Sequence, residues 1–289
     1  MRLAVVAVLT AVVAATCAGA THSAIQSDSR SVPRFRHVIV VVFENQEVND
    51  VLGASDAPTF NRLASRYATI SNYTAVAHPS LPNYLALVSG STQGIDSDCT
   101  DCVVNGRSLA DTLAASRRTW KTYAEGLPRV GFTGASSGRY AKKHNPFVYF
   151  RRNLTPARLQ RVVPLTRFLP DVRGRRLPAF SLIVPDLCHD MHDCGVSTGD
   201  TWLASFVKPI LRGSILKNSV VFVVFDEGTS DVGGGGRVAA LALGPLLRPH
   251  AVSSAATNHY GLLRTIEAGL GLPLLGRSAG ARPIVGIWR

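Results

Sequence analysis

The chain has 289 residues, 46% of them hydrophobic, with 31 Lys and Arg against 19 Asp and Glu for a formal net charge of +12. That length holds one large domain or two small ones, and the apolar share excludes a disordered chain. The positive charge suits anionic partners such as phosphate esters, acidic lipid headgroups or nucleic acid, and it also serves as a plain solubility surface. Its clusters (Arg117-Arg118, Arg151-Arg152, Arg173 to Arg176) are dispersed and not interleaved with aromatic residues, which argues against nucleic-acid binding.

Residues 1–20 read as a secretory signal peptide. Arg2 gives a basic start, Leu3 to Ala15 is apolar apart from Thr10, and Ala18-Gly19-Ala20 is a cleavage signal. The run is too short to span a bilayer. Cys17 would suit a lipoprotein, but the residues before it match a lipobox poorly. The expectation is a secreted, extracellular protein cleaved near Ala20, with a loose polar segment over 21–34 and a single domain over 35–289. Removing Arg2 leaves a mature charge of +11. Four cysteines remain after cleavage. In an oxidising compartment Cys99, Cys102, Cys188 and Cys194 favour two local disulfides, 99–102 and 188–194. A four-cysteine zinc site is the alternative, and the second pair has the wrong spacing for it.

The run His37 to Phe43 is β-branched and apolar throughout, as in a strand buried on both faces. Glu44-Asn45 follows it directly. Asp56 and Pro58 open a helix with Phe60, Leu63, Ala64 and Tyr67 on one face. A short strand is expected near Thr69–Ala75. The stretch His78-Pro79-Ser80-Leu81-Pro82-Asn83-Tyr84 then leads into a helix over 82–89, stopped by Gly90. Ser108 and Asp111 form a capping box for a helix through Arg117, and Thr119–Ala124 is expected as a strand. Residues 125–178 show no clear period and include a basic loop with Lys143 and His144. Ala179–Val184 is another buried strand, ending at Pro185-Asp186. Asp200 is expected to cap a helix carrying Leu203, Phe206, Val207 and Ile210, kinked at Pro209. Ser219–Phe225 is the strongest strand and ends at Asp226-Glu227. Gly233 to Gly236 reads as a flexible loop, Val238–Leu243 as a strand, and Asn258 opens a last helix. Buried strands alternating with helices predict a three-layer α/β/α fold with a mostly parallel central sheet.

In such a sheet, ligands bind beyond the carboxyl ends of the strands. Three strands end there in acidic groups: Glu44-Asn45, Asp186 with His189, Asp190, His192 and Asp193, and Asp226-Glu227. Carboxylates crowded on one rim repel one another unless a cation compensates, and a divalent metal is the simplest one. Each piece also has a plain reading. Glu44-Asn45 and Asp226-Glu227 serve as strand-exit turns, His189 to Asp193 as a polar loop between Cys188 and Cys194, His259 as a helix-start residue, and Lys143 and His144 as solvated side chains. Ser80 is read alone as a helix cap. Beside a metal it becomes a candidate nucleophile, with free N–H groups of the helix start aimed at a phosphate. Nothing in the sequence separates a catalytic role for His78 from a structural one.

These segments, together with Tyr140 to Phe147, Gly199 to Leu203 and Asn258-His259-Tyr260, resemble the phosphoesterase family of bacterial acid phosphatases and phospholipases C. The resemblance runs from about residue 36 to 288 and is nearest to actinobacterial secreted acid phosphatases that act on phosphoinositides. It implies an alkaline-phosphatase-like fold. It also implies Glu44, Asn45, Asp226 and Glu227 as metal ligands, Ser80 as nucleophile and ligand, and Asn83 on the phosphate. Asp186, His189, Asp190, His192 and His259 would hold a second ion or serve the leaving group. Glu227 stands where two-zinc relatives have a histidine, and Asn45 is an added neutral ligand. That favours one hard ion, with Asp190 among its ligands and His189, His144 and Lys143 turned to substrate. Catalysis would then rest on Ser80, His192, His259 and Asp186.

The expected function is a secreted, metal-dependent phosphomonoesterase of acid phosphatase type, working through a phosphoserine. The metal is Ca, Mg, Mn or Zn; the partners are phosphate monoesters, including phosphoinositide headgroups, with peripheral membrane contact and a monomeric chain. A phospholipase C or phosphodiesterase on the same scaffold is the alternative. A non-catalytic protein binding anionic lipid is the rival of another class.

Overall fold

A computed structural model describes residues 32–289. The expected signal peptide and residues 21–31 of the polar segment lie outside the described residues. Val32 is already buried, and Phe35 N donates to Gly269 O, so packing begins ahead of the expected boundary at residue 35.

One eight-stranded sheet organises the chain. Its strands are β1 (His37–Phe43), β2 (Ala68–Ile70), β3 (Trp120–Ala124), β4 (Val162–Pro164), β5 (Phe180–Val184), β6 (Ser219–Phe225), β7 (Ala240–Leu243) and β8 (Ala251–Ser253). Their order across the sheet is β8-β2-β7-β6-β1-β5-β3-β4. All pairs are parallel except those of β7, which runs against β6 and β2. The expected mostly parallel sheet is present. Every residue of β6 is buried, as is every residue of β1 after His37. Alternate side chains point to opposite faces, so both faces of the central strands are covered.

Five longer helices do the covering: α1 (Pro58–Arg66), α2 (Ser80–Ser89), α3 (Leu109–Ala115), α4 (Val196–Arg212) and α5 (His259–Leu270). Helix α1 packs on α4, whereas α2 packs on α5 and α3. Helix α2 is buried along its whole length and ends at Gly90, whose φ of +70° gives the left-handed cap expected there. The Ser108–Asp111 capping box opens α3, and Asn258 Oδ1 accepts Tyr260 N at the start of α5. Among the described residues no helix is long and apolar enough to cross a membrane. The two local disulfides, Cys99–Cys102 and Cys188–Cys194, are both present.

Three local expectations are corrected. The strand near Thr69–Ala75 is two pieces, β2 and Tyr73–Thr74, because the chain turns at Ser71-Asn72. Asp200 does not cap its own helix, which begins a turn earlier at Val196. Its carboxylate instead accepts Thr59 N at 2.8 Å and Phe60 N at 2.9 Å, capping α1 from across the interface. The glycine run is a packed wall, not a loose loop. A Cβ on Gly235 would stand 2.3 Å from Ala77 O, and one on Gly233 would stand 2.5 Å from Thr74 Oγ1. Only glycine lets this backbone approach the segment leading to Ser80 so closely.

Candidate active site

The carboxyl ends of β1, β6 and β5 bring Glu44, Asp226 with Glu227, and Asp190 to one rim, and the start of α2 brings Ser80 to the same place. The turn after β1 is sharp. Asn45 takes a φ of +57°, a left-handed conformation that asparagine tolerates better than most residues. Backbone bonds lock the three segments together: Glu44 N donates to Asp190 O at 2.8 Å, and Asp226 N to Phe43 O at 2.9 Å.

Ser80 sits inside an acidic nest. Its Oγ lies 2.9 Å from Glu44 Oε2 and 3.2 Å from Glu227 Oε1, and Ser80 is 1% exposed. Tyr84, one turn further along α2, donates from its hydroxyl to Glu44 Oε1 at 2.5 Å. Asp226 Oδ1 accepts Glu227 N at 2.6 Å and Asn45 N at 3.3 Å. His78 Nδ1 contacts Glu227 Oε2, while its Nε2 lies 3.0 Å from Ser230 O. His144 stacks on the Tyr84 ring at 5.4 Å and stands between two carboxylates, Nε2 3.2 Å from Glu44 Oε2 and Nδ1 3.1 Å from Asp190 Oδ2.

The electrostatics of this nest are those of a cation site. Burial, then the charges of Glu44 and Glu227, raise the Asp226 carboxyl well above its ordinary value. Burial also lifts Asp190 to about 6, against the opposing pull of His144. Burial pushes His144 down and Glu44 up, but their mutual attraction outweighs both, placing His144 at about 9 and Glu44 at about 2. The protonated His144 ring thus supplies part of the positive charge the carboxylates need, and an ion bound there would take the place of its proton. Even so, Asp226 Oδ2, Asp190 Oδ2 and His144 Nε2 are buried without an aligned hydrogen-bond partner. Ligand atoms of Glu44, His144 and Asp190 lie within 4.8 Å of one another. Orphaned, convergent oxygens with one imidazole fit a divalent ion. His144, expected on substrate, stands among these candidate ligands.

A half-exposed layer of side chains lies outside the nest. Lys143 Nζ donates to Asp98 Oδ2 at 2.8 Å and to His192 Nε2 at 3.1 Å, and His192 Nδ1 lies 2.7 Å from Asp193 Oδ1. Asp98 also accepts Leu81 N, the first N–H after Ser80, at 2.9 Å. Lys143 and His192 therefore stand beside the helix start that carries Ser80.

Other expected residues lie differently. Asn83 is spent on the backbone: its Oδ1 accepts Val76 N and Ala77 N, and its Nδ2 donates to Ala77 O and Pro79 O. It shapes the approach to Ser80 and offers no free group to phosphate. His259 is 1% exposed, with Nε2 donating to Asp226 O at 2.6 Å and Nδ1 accepting from the Tyr73 hydroxyl at 2.9 Å. Burial lowers its pKa to about 4, so it is a neutral strut behind Asp226, not an acid for the leaving group. Asp186 and His189 gather around Glu125: His189 Nδ1 lies 3.0 Å from Glu125 Oε2 and 3.4 Å from Asp186 Oδ1. They form a second, half-exposed cluster apart from the nest.

Tyr84, Asp98 and Glu125 were missed by sequence reasoning. Tyr84 was within reach, since it lies four residues after Ser80 on the same helix face. Asp98 and Glu125 sit in loops without a motif, and only the fold brings them in. Glu47 was missed too; it accepts Thr229 N, Ser230 N and Arg237 N, fixing the loop that carries Glu227.

The family model described as "Phosphoesterase family" matches residues 51–273. A "Phosphatidylinositol-3-phosphatase" of Mycobacterium tuberculosis is 35% identical over 99% of this chain and 93% of its own length. A "Phosphate-repressible acid phosphatase" of Penicillium chrysogenum is 30% identical over 75% of this chain and 55% of its own. An "Acid phosphatase" of Aspergillus fumigatus is 31% identical over 84% and 56%. The chain thus spans a little over half of these two fungal relatives. In fold it is similar to a protein in the alkaline phosphatase superfamily from Vibrio parahaemolyticus, with a TM-score of 0.59 and 12% identity over 89% of this chain and 77% of that one. It is also similar to murine ectonucleotide pyrophosphatase/phosphodiesterase 5, with a TM-score of 0.56 and 12% identity over 86% and 99%. From its first helix to its last, this chain belongs to the phosphoesterase family.

Proposed function

We propose that the protein is a secreted, metal-dependent phosphomonoesterase of acid phosphatase type, with Ser80 as nucleophile. The observation that carries the reading is the serine's setting: Ser80 Oγ lies 2.9 and 3.2 Å from two carboxylates, at the start of a helix and beside an orphaned Asp226 oxygen. A hydroxyl that only capped a helix would not stand in a nest of this charge. The relatives named for phosphatase activity support the reaction class.

Glu44, Asp226, Glu227, Asp190, Ser80 and His144 would hold the ion, with Asn45 at the edge. Such an ion would offset the carboxylates, lower the pKa of a serine hydroxyl and stabilise charge on a phosphoryl oxygen. The protein's own groups do the rest. Ser80 Oγ forms a bond to phosphorus as the ester P–O bond breaks, and its proton has a carboxylate oxygen within hydrogen-bond distance. The resulting phosphoserine is hydrolysed by water, releasing phosphate and restoring the hydroxyl. Lys143 and His192, joined at 3.1 Å, meet the phosphate charge and the leaving oxygen at the opening. His78 and Tyr84 hold the two glutamates from behind. The mycobacterial relative's name supports phosphoinositides as substrates.

The test is hydrolysis of a phosphate-ester panel by the purified protein, with chelator and with Ca, Mg, Mn or Zn restored singly. The reading expects monoesters to exceed diesters by at least about tenfold, with activity lost to chelator and regained with metal. Preferred cleavage of diesters would favour the phosphodiesterase alternative, and indifference to every ester would end the enzymatic reading.

A further inference from the structure

Beside the Glu125 cluster lies a groove of 660 Å³. Its walls include Leu127, Leu165, Phe168, Leu169, Trp202 and Phe206, and it begins at Glu125. The aromatic wall is preformed: Trp202 and Phe206 stack 5.0 Å apart at 4°, and Phe168 lies 5.1 Å from Phe206. Trp202 ties the groove to the active-site rim, since it lies 5.9 Å from Phe43, the residue before Glu44, and 6.3 Å from His189.

Sheet order sets the distance. Glu44 follows β1, Glu125 follows β3 and Pro164 ends β4, which lie two and three strands from β1 on the same edge. At roughly 5 Å per strand, the groove starts about 10 to 15 Å from the nest. Pockets of this size bury most of a small ligand's surface. Arg129 and Arg167 adjoin the lining residues Pro128, Thr166 and Phe168. Both are exposed, and neither has a carboxylate partner among the described residues. An apolar slot flanked by Arg167 and by Arg129, which lies over the Phe132 ring, and joined through Trp202 to the rim where a metal would meet a phosphate, matches an amphiphile with an apolar tail and a phosphate head.

The geometry points to this groove as the seat of the aliphatic chain of an amphiphilic phosphate monoester whose phosphate reaches Ser80. The inference rests on the phosphomonoesterase reading for the chemistry at its polar end. A long-chain ester gains burial along Leu169, Trp202 and Phe206, whereas a short-chain one makes no contact there. Chain length therefore acts on KM, leaving the chemistry at Ser80 unchanged.

The experiment compares hydrolysis of butyl phosphate and dodecyl phosphate, below the micellar concentration of the latter, by wild type, Leu169→Glu and Ser205→Glu. Ser205 is exposed on the groove lining, so its substitution leaves the core intact should the Leu169 variant fail to fold. In wild type the KM for dodecyl phosphate is expected to be at least about tenfold lower than for butyl phosphate. In the variants the ratio falls to about one, while turnover of p-nitrophenyl phosphate stays within about twofold. Normal p-nitrophenyl phosphate turnover with no chain preference in wild type overturns the groove assignment alone, as does a preference that survives both variants. A concentration-dependent dimer that the variants dissolve, without chain preference, assigns the groove to a second copy and also overturns it. If no ester is hydrolysed, calorimetric binding of dodecyl phosphate, abolished in the variants, upholds the groove while the phosphomonoesterase reading falls.

Discussion

At the scale of single residues, Glu44 is held by partners that each remove one degree of freedom. The Tyr84 hydroxyl fixes one of its oxygens at 2.5 Å, Ser80 and His144 approach the other, and its backbone N–H is tied to Asp190 O. A buried carboxylate stripped of such a partner loses orientation as well as a hydrogen bond. Tyr84→Phe is expected to weaken divalent-metal binding by about 10- to 100-fold while the protein stays folded, read by titration of metal against the melting temperature. Unchanged affinity would separate Tyr84 from the cation site. Glu44, Asp190, Asp226 and Glu227 follow from strand ends on one rim, and Ser80 from the helix start beside them. Asn83 and His259 were expected to face substrate because residue type shows hydrogen-bonding capacity and not where that capacity is spent. Here the turn at Val76-Ala77 consumes the asparagine, and Tyr73 with the Asp226 carbonyl consumes the histidine.

At the scale of elements, the strands with continuous apolar runs, β1, β5 and β6, were legible to within a residue or so, because burial on both faces leaves a strong pattern. The helix α4 was misjudged at its start because Asp200 looks like a cap, whichever helix it caps. Asp200→Ala removes the one oxygen that accepts both N–H groups at the N-terminus of α1 and should cost about 1–2 kcal/mol, seen as a lower midpoint in urea unfolding with turnover per folded molecule retained. A midpoint equal to wild type would mean that water replaces the cap. The glycine run shows the opposite ambiguity. Absent side chains signal either freedom or close approach, and only the contacts with residues 74–77 decide between them.

At the scale of the whole molecule, three segments far apart in sequence carry the nest: the exits of β1, β5 and β6, adjacent in the sheet but about 40 to 180 residues apart along the chain. The nest is therefore a product of the folded state alone, and an ion bound there stabilises that state by mass action. Saturating divalent metal is expected to raise the melting temperature by several degrees over chelated protein, and Asp226→Asn is expected to remove most of that rise. A metal-independent melting temperature would place no ion in the nest. Parallel strand order was predictable from alternating buried strands and helices. The reversed strand β7 was not, since a short apolar run reads the same in both directions.

The central claim is that Ser80 takes the phosphoryl group. Its most direct measurement is acid quenching of the metal-loaded protein during turnover of a phosphate monoester, followed by peptide mass spectrometry. The expected result is a phosphorylated peptide containing Ser80 in wild type, absent in a folded Ser80→Ala protein whose turnover has fallen by at least about a thousandfold. A Ser80→Ala protein that hydrolyses the monoester at the wild-type rate would contradict the account.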